Sequence, residues 1–93
     1  MEFQEVEGRD AGEVILYALS TCGWCKRTKE LIESLGVGYR YIYVDLLEGD
    51  ERKEAVQTVR GLNPNLSFPT LVINGNVITG FKEEDIEKAL KGD

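Results

Sequence analysis

An apolar run that leads into two closely spaced cysteines constrains this chain more than any other feature. Residues 14–19 are continuously apolar and rich in strand formers, which is typical of a β-strand buried on both faces. The segment Cys22-Gly23-Trp24-Cys25 follows directly after a Ser-Thr step. Positions 28, 31, 32 and 35 then recur at helical spacing, so the sequence predicts an amphipathic helix over residues 24–35 that ends at Gly36. The cysteines therefore stand at a strand-to-helix junction.

The rest of the chain continues to alternate between strand and helix patterns. The predicted elements are strands at 14–19, 39–45, 70–73 and 76–79, and helices at 24–35, 48–60 and 82–90. Asn74-Gly75 predicts a two-residue hairpin turn between the last two strands. The order βαβαββα predicts one α/β domain over residues 1–93, a four-stranded mixed sheet flanked by three helices. Residues 3–6 could add a further short strand.

The two cysteines, three residues apart, point to redox chemistry rather than to structural support. A disulfide that closes so short a loop constrains almost nothing in the unfolded chain. Unpaired N–H groups at a helix start stabilise a thiolate, so we expect Cys22 to be the nucleophile. Cys25 lies one turn further on the same side, and can displace a mixed disulfide formed on Cys22. The alternatives are half of a zinc site, or two inert buried cysteines.

Composition excludes several other classes of function. The chain has no histidine, which removes Cys–His and Ser–His catalytic pairs and the commonest zinc or copper ligand. A net charge of -6 argues against nucleic-acid binding. No apolar run reaches the roughly 20 residues that a membrane span needs. The acidic start carries no secretion signal pattern, so we expect a cytoplasmic protein.

Two features beside the cysteines remain open on the residues alone. Lys26, Arg27 and Lys29 form a basic cluster that either guides an acidic partner or solvates an exposed helix face. Trp24, the only tryptophan, either packs over the helix start or contacts a partner. The loop at residues 63–67 is equally open, as a plain surface loop or as a segment that shapes partner choice.

Three landmarks in their order and spacing resemble the glutaredoxin family of the thioredoxin-like fold. They are Cys22-Gly23-Trp24-Cys25, the segment Ser67-Phe68-Pro69-Thr70 before the hairpin, and Thr79-Gly80-Phe81 before the last helix. On the residues alone, Pro69 is equally a strand starter or a cis-proline. The resemblance implies the cis form, and implies that the backbone there pairs with an extended substrate beside the active sulfur. The substrate-binding residues it suggests are Trp24, Phe68, Pro69, Thr70, Gly80, Phe81 and Lys82.

Departures from the family pattern bear on which electron donor we expect the chain to use. Family members that use glutathione typically carry a Lys where this chain has Leu19, and a Gly-Gly step followed by an acidic pair where it has Gly80, Phe81 and Lys82. This variant is similar to redoxins that serve ribonucleotide reductase and are reduced by thioredoxin reductase. The resemblance thus predicts a dithiol reductase of protein disulfides that does not strictly depend on glutathione.

Gly23 supports a competing function. A Gly in this place occurs in family members that hold a [2Fe–2S] cluster between two subunits, with the first cysteine and glutathione as ligands. A redox-inactive binding module is a third possibility, which would leave Cys22 without a purpose. For the favoured function we expect no required cofactor and no metal, with glutathione as a possible cosubstrate. Expected partners are disulfide-containing proteins and a thioredoxin reductase or ferredoxin-linked reductase, and we expect a monomer.

Overall fold

The computed structural model describes residues 1–91 and has a five-stranded mixed sheet with three helices. The strands are β1 (Gln4–Val6), β2 (Val14–Ala18), β3 (Tyr39–Tyr43), β4 (Thr70–Ile73) and β5 (Asn76–Thr79). The helices are α1 (Gly23–Ser34), α2 (Gly49–Leu62) and α3 (Glu83–Lys91). The predicted class is confirmed, and the predicted elements occur in the predicted order after the additional strand β1. The last two residues of the predicted 1–93 domain lie outside the described part.

The sheet has the order β1-β3-β2-β4-β5, so the strand that leads to the cysteines is central. β2 pairs parallel with β3 and antiparallel with β4. Residues of β2 alternate between two cores because successive side chains in a strand point to opposite faces. Val14, Leu16 and Ala18 pack toward α1 and α3, whereas Ile15 and Tyr17 pack toward α2. The expectation of a strand buried on both faces is confirmed.

Several predicted bounds need correction. The sheet has five strands rather than four, because Gln4–Val6 pairs antiparallel with β3 at its edge. The strand predicted at 39–45 ends at Tyr43, and Val44–Leu46 forms a 3₁₀ turn instead. The strands predicted at 70–73 and 76–79 match at both ends, while the first predicted strand ends one residue earlier and the helix ends shift by one or two residues, which is the usual scatter at element termini.

Glycines close two of the predicted turns. Gly36 has φ 71° just after α1, the left-handed conformation that suits a helix C-terminus. Asn74 (φ 50°) and Gly75 (φ 85°) are both left-handed, as the predicted hairpin turn requires. No helix within residues 1–91 is long and apolar enough to cross a membrane.

Candidate active site

Cys22 caps the N-terminus of α1. Its backbone is extended (φ -92°, ψ 115°), and its Sγ accepts a hydrogen bond from the N–H of Cys25 at 3.2 Å. Its carbonyl accepts the N–H of Lys26 at 3.1 Å and so begins the helix. The side chain is half-buried. Because the first N–H groups of a helix lack intrahelical partners, this position favours negative charge on the sulfur.

Cys25 lies one turn further into α1 and has a different environment. Its side chain is 1% exposed and belongs to the core beneath the helix. Burial, reinforced by a hydrogen bond with Cys22, raises the pKa of Cys25 to about 12. A backbone hydrogen bond with Leu19 opposes this rise. Both cysteines are free thiols in this structure, and Cys22 is partly accessible to solvent while Cys25 is buried. With a pKa raised to about 12, the Cys25 thiol is protonated at neutral pH.

The loop opposite the cysteines presents a cis-proline. The Phe68–Pro69 peptide bond is cis, as the family resemblance implied. The N–H of Gly80 donates to the carbonyl of Pro69 at 2.9 Å, which holds the cis-proline loop against the Gly80-Phe81 segment that precedes α3. The two segments and the start of α1 enclose a cavity of about 270 Å³, lined by Trp24, Phe68, Pro69, Gly80 and Phe81. Five of the expected substrate-binding residues therefore meet in one groove.

An aromatic pair forms one wall of this groove. The rings of Trp24 and Phe81 stack with centroids 5.6 Å apart and planes inclined at 23°. Trp24 is nevertheless 58% exposed, a large exposure for the heaviest apolar side chain in the chain. The guanidinium of Arg27 lies 5.8 Å from the centre of the indole ring. The indole thus lies at the surface beside the cysteines instead of packing into the core.

Two other expected binding residues lie outside the groove. Thr70 is fully buried, and its hydroxyl donates to the carbonyl of Ser67 at 2.8 Å and accepts from Asn63 at 3.1 Å. Its side chain therefore supports the cis-proline loop from behind. Lys82 is exposed, and its carbonyl accepts the N–H of Ile86 at the start of α3.

Sequence reasoning missed Asn63, which organises the cis-proline loop from inside. Its side chain is 3% exposed, and Nδ2 lies within hydrogen-bond distance of the Ser67 carbonyl, the Ser67 hydroxyl and the Thr70 hydroxyl. Its Oδ1 accepts the N–H of Asn65 at 3.2 Å. A buried polar network of this kind fixes backbone geometry when all its members are bonded. The only available signal was an Asn in the predicted loop at residues 63–67, followed directly by Pro64.

Asp45 was also missed. Its carboxylate accepts the Ser20 N–H at 2.8 Å and the Ser20 hydroxyl at 2.5 Å, in the turn just before Cys22. These hydrogen bonds hold the pKa of Asp45 below its usual range. A signal existed in the sequence: Asp45 is the last residue of a strand predicted to run parallel to the cysteine strand, and such strands end at the same edge of a sheet.

The structure separates Arg27 from the two lysines of the basic cluster. The ammonium of Lys29 donates to the hydroxyl of Tyr43 at 3.0 Å and lies 3.8 Å from the ring centre of Tyr41. Arg27 turns to Trp24. Lys26 borders a second cavity of about 270 Å³ on the β3 side of Cys22, which also includes Leu19 and Lys29. A larger depression of about 880 Å³ lies at the opposite end of β2, and no cysteine lines it.

Comparison with known proteins gives a consistent result. The glutaredoxin family model matches residues 14–78. A glutaredoxin-like 8.6 kDa protein in a rubredoxin operon of Clostridium pasteurianum is 34% identical over 76 residues, 82% of this chain and 95% of that protein. The crystal structure of a glutaredoxin from Methanosarcina mazei Go1 has a TM-score of 0.87 and 54% identity, and covers 95% of this chain and 86% of its own. Methanosarcina acetivorans methanoredoxin has a TM-score of 0.85 and 49% identity, over 89% and 88% of the two chains.

Proposed function

The chain belongs to the glutaredoxin family, and we propose that it reduces protein disulfides by a dithiol mechanism through Cys22 and Cys25. The observation that carries this proposal is the unequal environment of the two thiols. Cys22 is accessible at a helix N-terminus, whereas Cys25 is buried and protonated one turn behind it. That asymmetry is what separate attacking and resolving roles require.

In the first step, the Cys22 thiolate attacks one sulfur of a substrate disulfide. A bond forms between Cys22 Sγ and that sulfur, the substrate S–S bond breaks, and the second substrate sulfur leaves as a thiolate that takes a proton from solvent. The product is a mixed disulfide between the protein and its substrate. The N–H of Cys25 that faces the Cys22 sulfur, together with the start of α1, stabilises the attacking charge.

In the second step, Cys25 resolves the mixed disulfide. Its thiol gives up a proton as its sulfur attacks Cys22 Sγ, the bond to the substrate breaks, and the substrate leaves as a thiol after protonation. Two electrons have then passed from the dithiol to the substrate, and Cys22 and Cys25 are joined by a disulfide. Because the pKa of Cys25 is raised to about 12, its thiol stays protonated at neutral pH before the mixed disulfide forms. Cys25 lies one helical turn from Cys22, next to the sulfur that it attacks.

We propose that the substrate backbone lies in the groove between Trp24 and the cis-proline loop. Pro69 gives its carbonyl to Gly80, so the Phe68 side of the loop is the part we assign to pairing with an extended substrate. The stacked pair of Trp24 and Phe81 offers an aromatic wall for the side chain next to the substrate cysteine. Thr70 acts here through the loop it supports.

We propose that glutathione is not a required electron donor. Leu19, where a glutathione-binding Lys would stand, is a half-buried apolar residue at the cavity beside Cys22. Lys82 is an exposed cation where an acidic residue would bind the glutamyl amine. The similar protein of Clostridium pasteurianum stands in a rubredoxin operon, which fits an electron source such as thioredoxin reductase or a ferredoxin-linked reductase. A dithiol that must return to its reduced form also fits the cytoplasm.

The alternative role as a [2Fe–2S] carrier depends on ligands from outside a single chain. A cluster of this type takes four protein or external thiolate ligands. Residues 1–91 contain no group of three or more side chains suited to hold a metal ion. Cys22 is the accessible sulfur, while Cys25 is 1% exposed within the core, so one chain offers one ligand. We therefore propose no step through a cluster.

A donor comparison tests this proposal. The rate of insulin disulfide reduction is measured with glutathione and its reductase, and separately with NADPH and thioredoxin reductase or with reduced ferredoxin and its thiol reductase. We expect turnover with a reductase that acts directly on the Cys22–Cys25 disulfide. Faster turnover with glutathione than with every reductase would overturn the assignments of Leu19 and Lys82. The Lys26→Gln variant is the control for an anion-binding role of the second cavity, and we expect unchanged reductase-driven rates.

A further inference from the structure

The parallel register of β2 and β3 brings Asp45 to the turn that precedes the cysteines. Ala18 is opposite Tyr43 in this register, so two residues further along each strand, Ser20 stands opposite Asp45. Both carboxylate oxygens accept hydrogen bonds from Ser20, one from its backbone N–H (2.8 Å) and one from its hydroxyl (2.5 Å). Hydrogen bonds to an ionised acceptor are stronger than neutral ones.

Ser20 belongs to a turn that contacts both Cys22 and Cys25. The N–H of Cys22 donates to the carbonyl of Leu19 at 3.2 Å, which closes a four-residue turn with Ser20 at its second position. Leu19 also makes the backbone hydrogen bond that favours charge on the Cys25 sulfur. A shift of this turn therefore changes the position of Cys22 at the helix N-terminus and the contact to Cys25 together.

We propose that Asp45 is a positioning residue for the dithiol, which acts through Ser20 by fixing the Leu19–Cys22 turn. The effect on turnover rests on the proposed function, whereas the effect on the reactivity of the Cys22 thiol does not depend on it. Arg52 on α2 is the positive charge that faces Asp45, and the carboxylate in turn disfavours charge on Cys25. Asp45 touches no reacting atom in this arrangement.

The test compares Asp45→Ala, Asp45→Asn and Ser20→Ala in two assays. The first is the second-order rate of alkylation of Cys22 by iodoacetamide at pH 7, measured in the Cys25→Ser background and followed by mass spectrometry. The second is kcat/KM for insulin reduction in the dithiol protein. Alkylation needs no substrate or reductase, so it tests the positioning role even where turnover fails. Circular dichroism confirms that each variant is folded at the assay temperature.

We expect Asp45→Ala to lower both rates about tenfold, which corresponds to about 1.4 kcal/mol. Asp45→Asn keeps an oxygen for the Ser20 N–H and should lose only about threefold, as should Ser20→Ala, which keeps that same bond. The decisive comparison is the double variant: if Asp45 acts through Ser20, adding Ser20→Ala to Asp45→Ala has no further effect. Should Asp45→Ala not fold, Ser20→Ala and Asp45→Asn give the same comparison.

The matched control is Asp10→Ala. Asp10 is an exposed aspartate whose carboxylate also accepts a backbone N–H, that of Gly12 at 2.8 Å, at the opposite end of β2. We expect it to leave both rates unchanged. The proposal is overturned if Asp45→Ala stays within twofold of the wild type in both assays, if Ser20→Ala lowers the Asp45→Ala rates by its full separate factor, or if Asp10→Ala reproduces the loss.

Discussion

Replacing Asn63 by Ala should destabilise the protein and loosen its substrate groove. The amide Nδ2 has two protons to donate and three acceptors within reach, on Ser67 and Thr70, and Oδ1 accepts one further bond. The substitution therefore removes about three hydrogen bonds, each with a net value of about 0.5–1.5 kcal/mol. We expect the free energy of unfolding to fall by about 2–3 kcal/mol.

Thermal and urea unfolding of the reduced protein measure this loss. For a domain of this size, about 1 kcal/mol corresponds to about 4–8 °C in Tm, so Tm should fall by about 10–20 °C. Below the transition, kcat/KM for a protein disulfide should also fall, because the loop that carries Phe68 and Pro69 has lost its internal support. Thr70→Val, which removes one hydroxyl from the same network, should have a smaller effect of the same sign.

Asn65→Ala is the matched control in the same loop. Asn65 is exposed, and its backbone N–H, not its side chain, makes the hydrogen bond with Asn63. Removing the Asn65 side chain should therefore change the free energy of unfolding by no more than about 0.5 kcal/mol. A Tm for Asn63→Ala within 2 °C of the wild type, or equal losses for Asn63 and Asn65, would refute the reasoning. Either result would show that the buried network does not stabilise the loop.

Three further outcomes follow from the site and its supports. Because burial raises the pKa of Cys25 from 9.0 to about 12, the unfolded chain loses this proton at a lower pH than the folded protein does. The free energy of unfolding of the reduced protein should therefore fall as the pH rises from about 9 to 12, by up to about 1.4 kcal/mol per pH unit. Urea titrations of wild type and Cys25→Ser check this, and an equal dependence of stability on pH in both proteins contradicts it. Gly8→Ala should lower the free energy of unfolding by about 1–3 kcal/mol, since the added Cβ would lie 2.5 Å from the Gly38 nitrogen. Gly61→Ala, in open space on α2, should stabilise the protein slightly. Thermal melts in which Gly8→Ala is the more stable of the two variants would contradict this. Trp24→Ala should lower kcat/KM for a protein disulfide about tenfold with a Tm change of only a few degrees, because the indole is 58% exposed and stacks on Phe81 at the surface. An equal rate for both proteins would remove Trp24 from the docking surface.

The parts of the fold that depend on local pattern could be predicted from the sequence. The continuous apolar run specifies the central strand, and Gly36 and Asn74-Gly75 specify turns that need left-handed backbone. The sequence indicates strand β1 only weakly, because a three-residue edge strand is too short to show a clear periodicity. Its place depends on pairing with β3 and on the close approach of Gly8 to Gly38.

The same division holds at the site. The cysteine pair and its helix N-terminus are local features, and the structure places both as the sequence indicates. Asp45 and Asn63 act through contacts that are fixed by strand register and by the folding of a loop over the core. The Asp45 contact has no short-range signature, because Ser20 and Asp45 are 25 residues apart and meet only once β2 and β3 pair. The partners of Asn63 are close in sequence, but the Asn63 amide meets them only when the loop folds over the core.

The order of reaction of the two cysteines tests the central claim most directly. The Cys25→Ser and Cys22→Ser variants are each mixed with an oxidised protein substrate under non-reducing conditions, and adducts are mapped by mass spectrometry after digestion. We expect a stable mixed disulfide on Cys22 in the Cys25→Ser variant, because the resolving thiol is gone, and little adduct on the buried Cys25 in the reverse variant. An adduct that forms as readily on Cys25, or none on Cys22, would contradict the assigned roles.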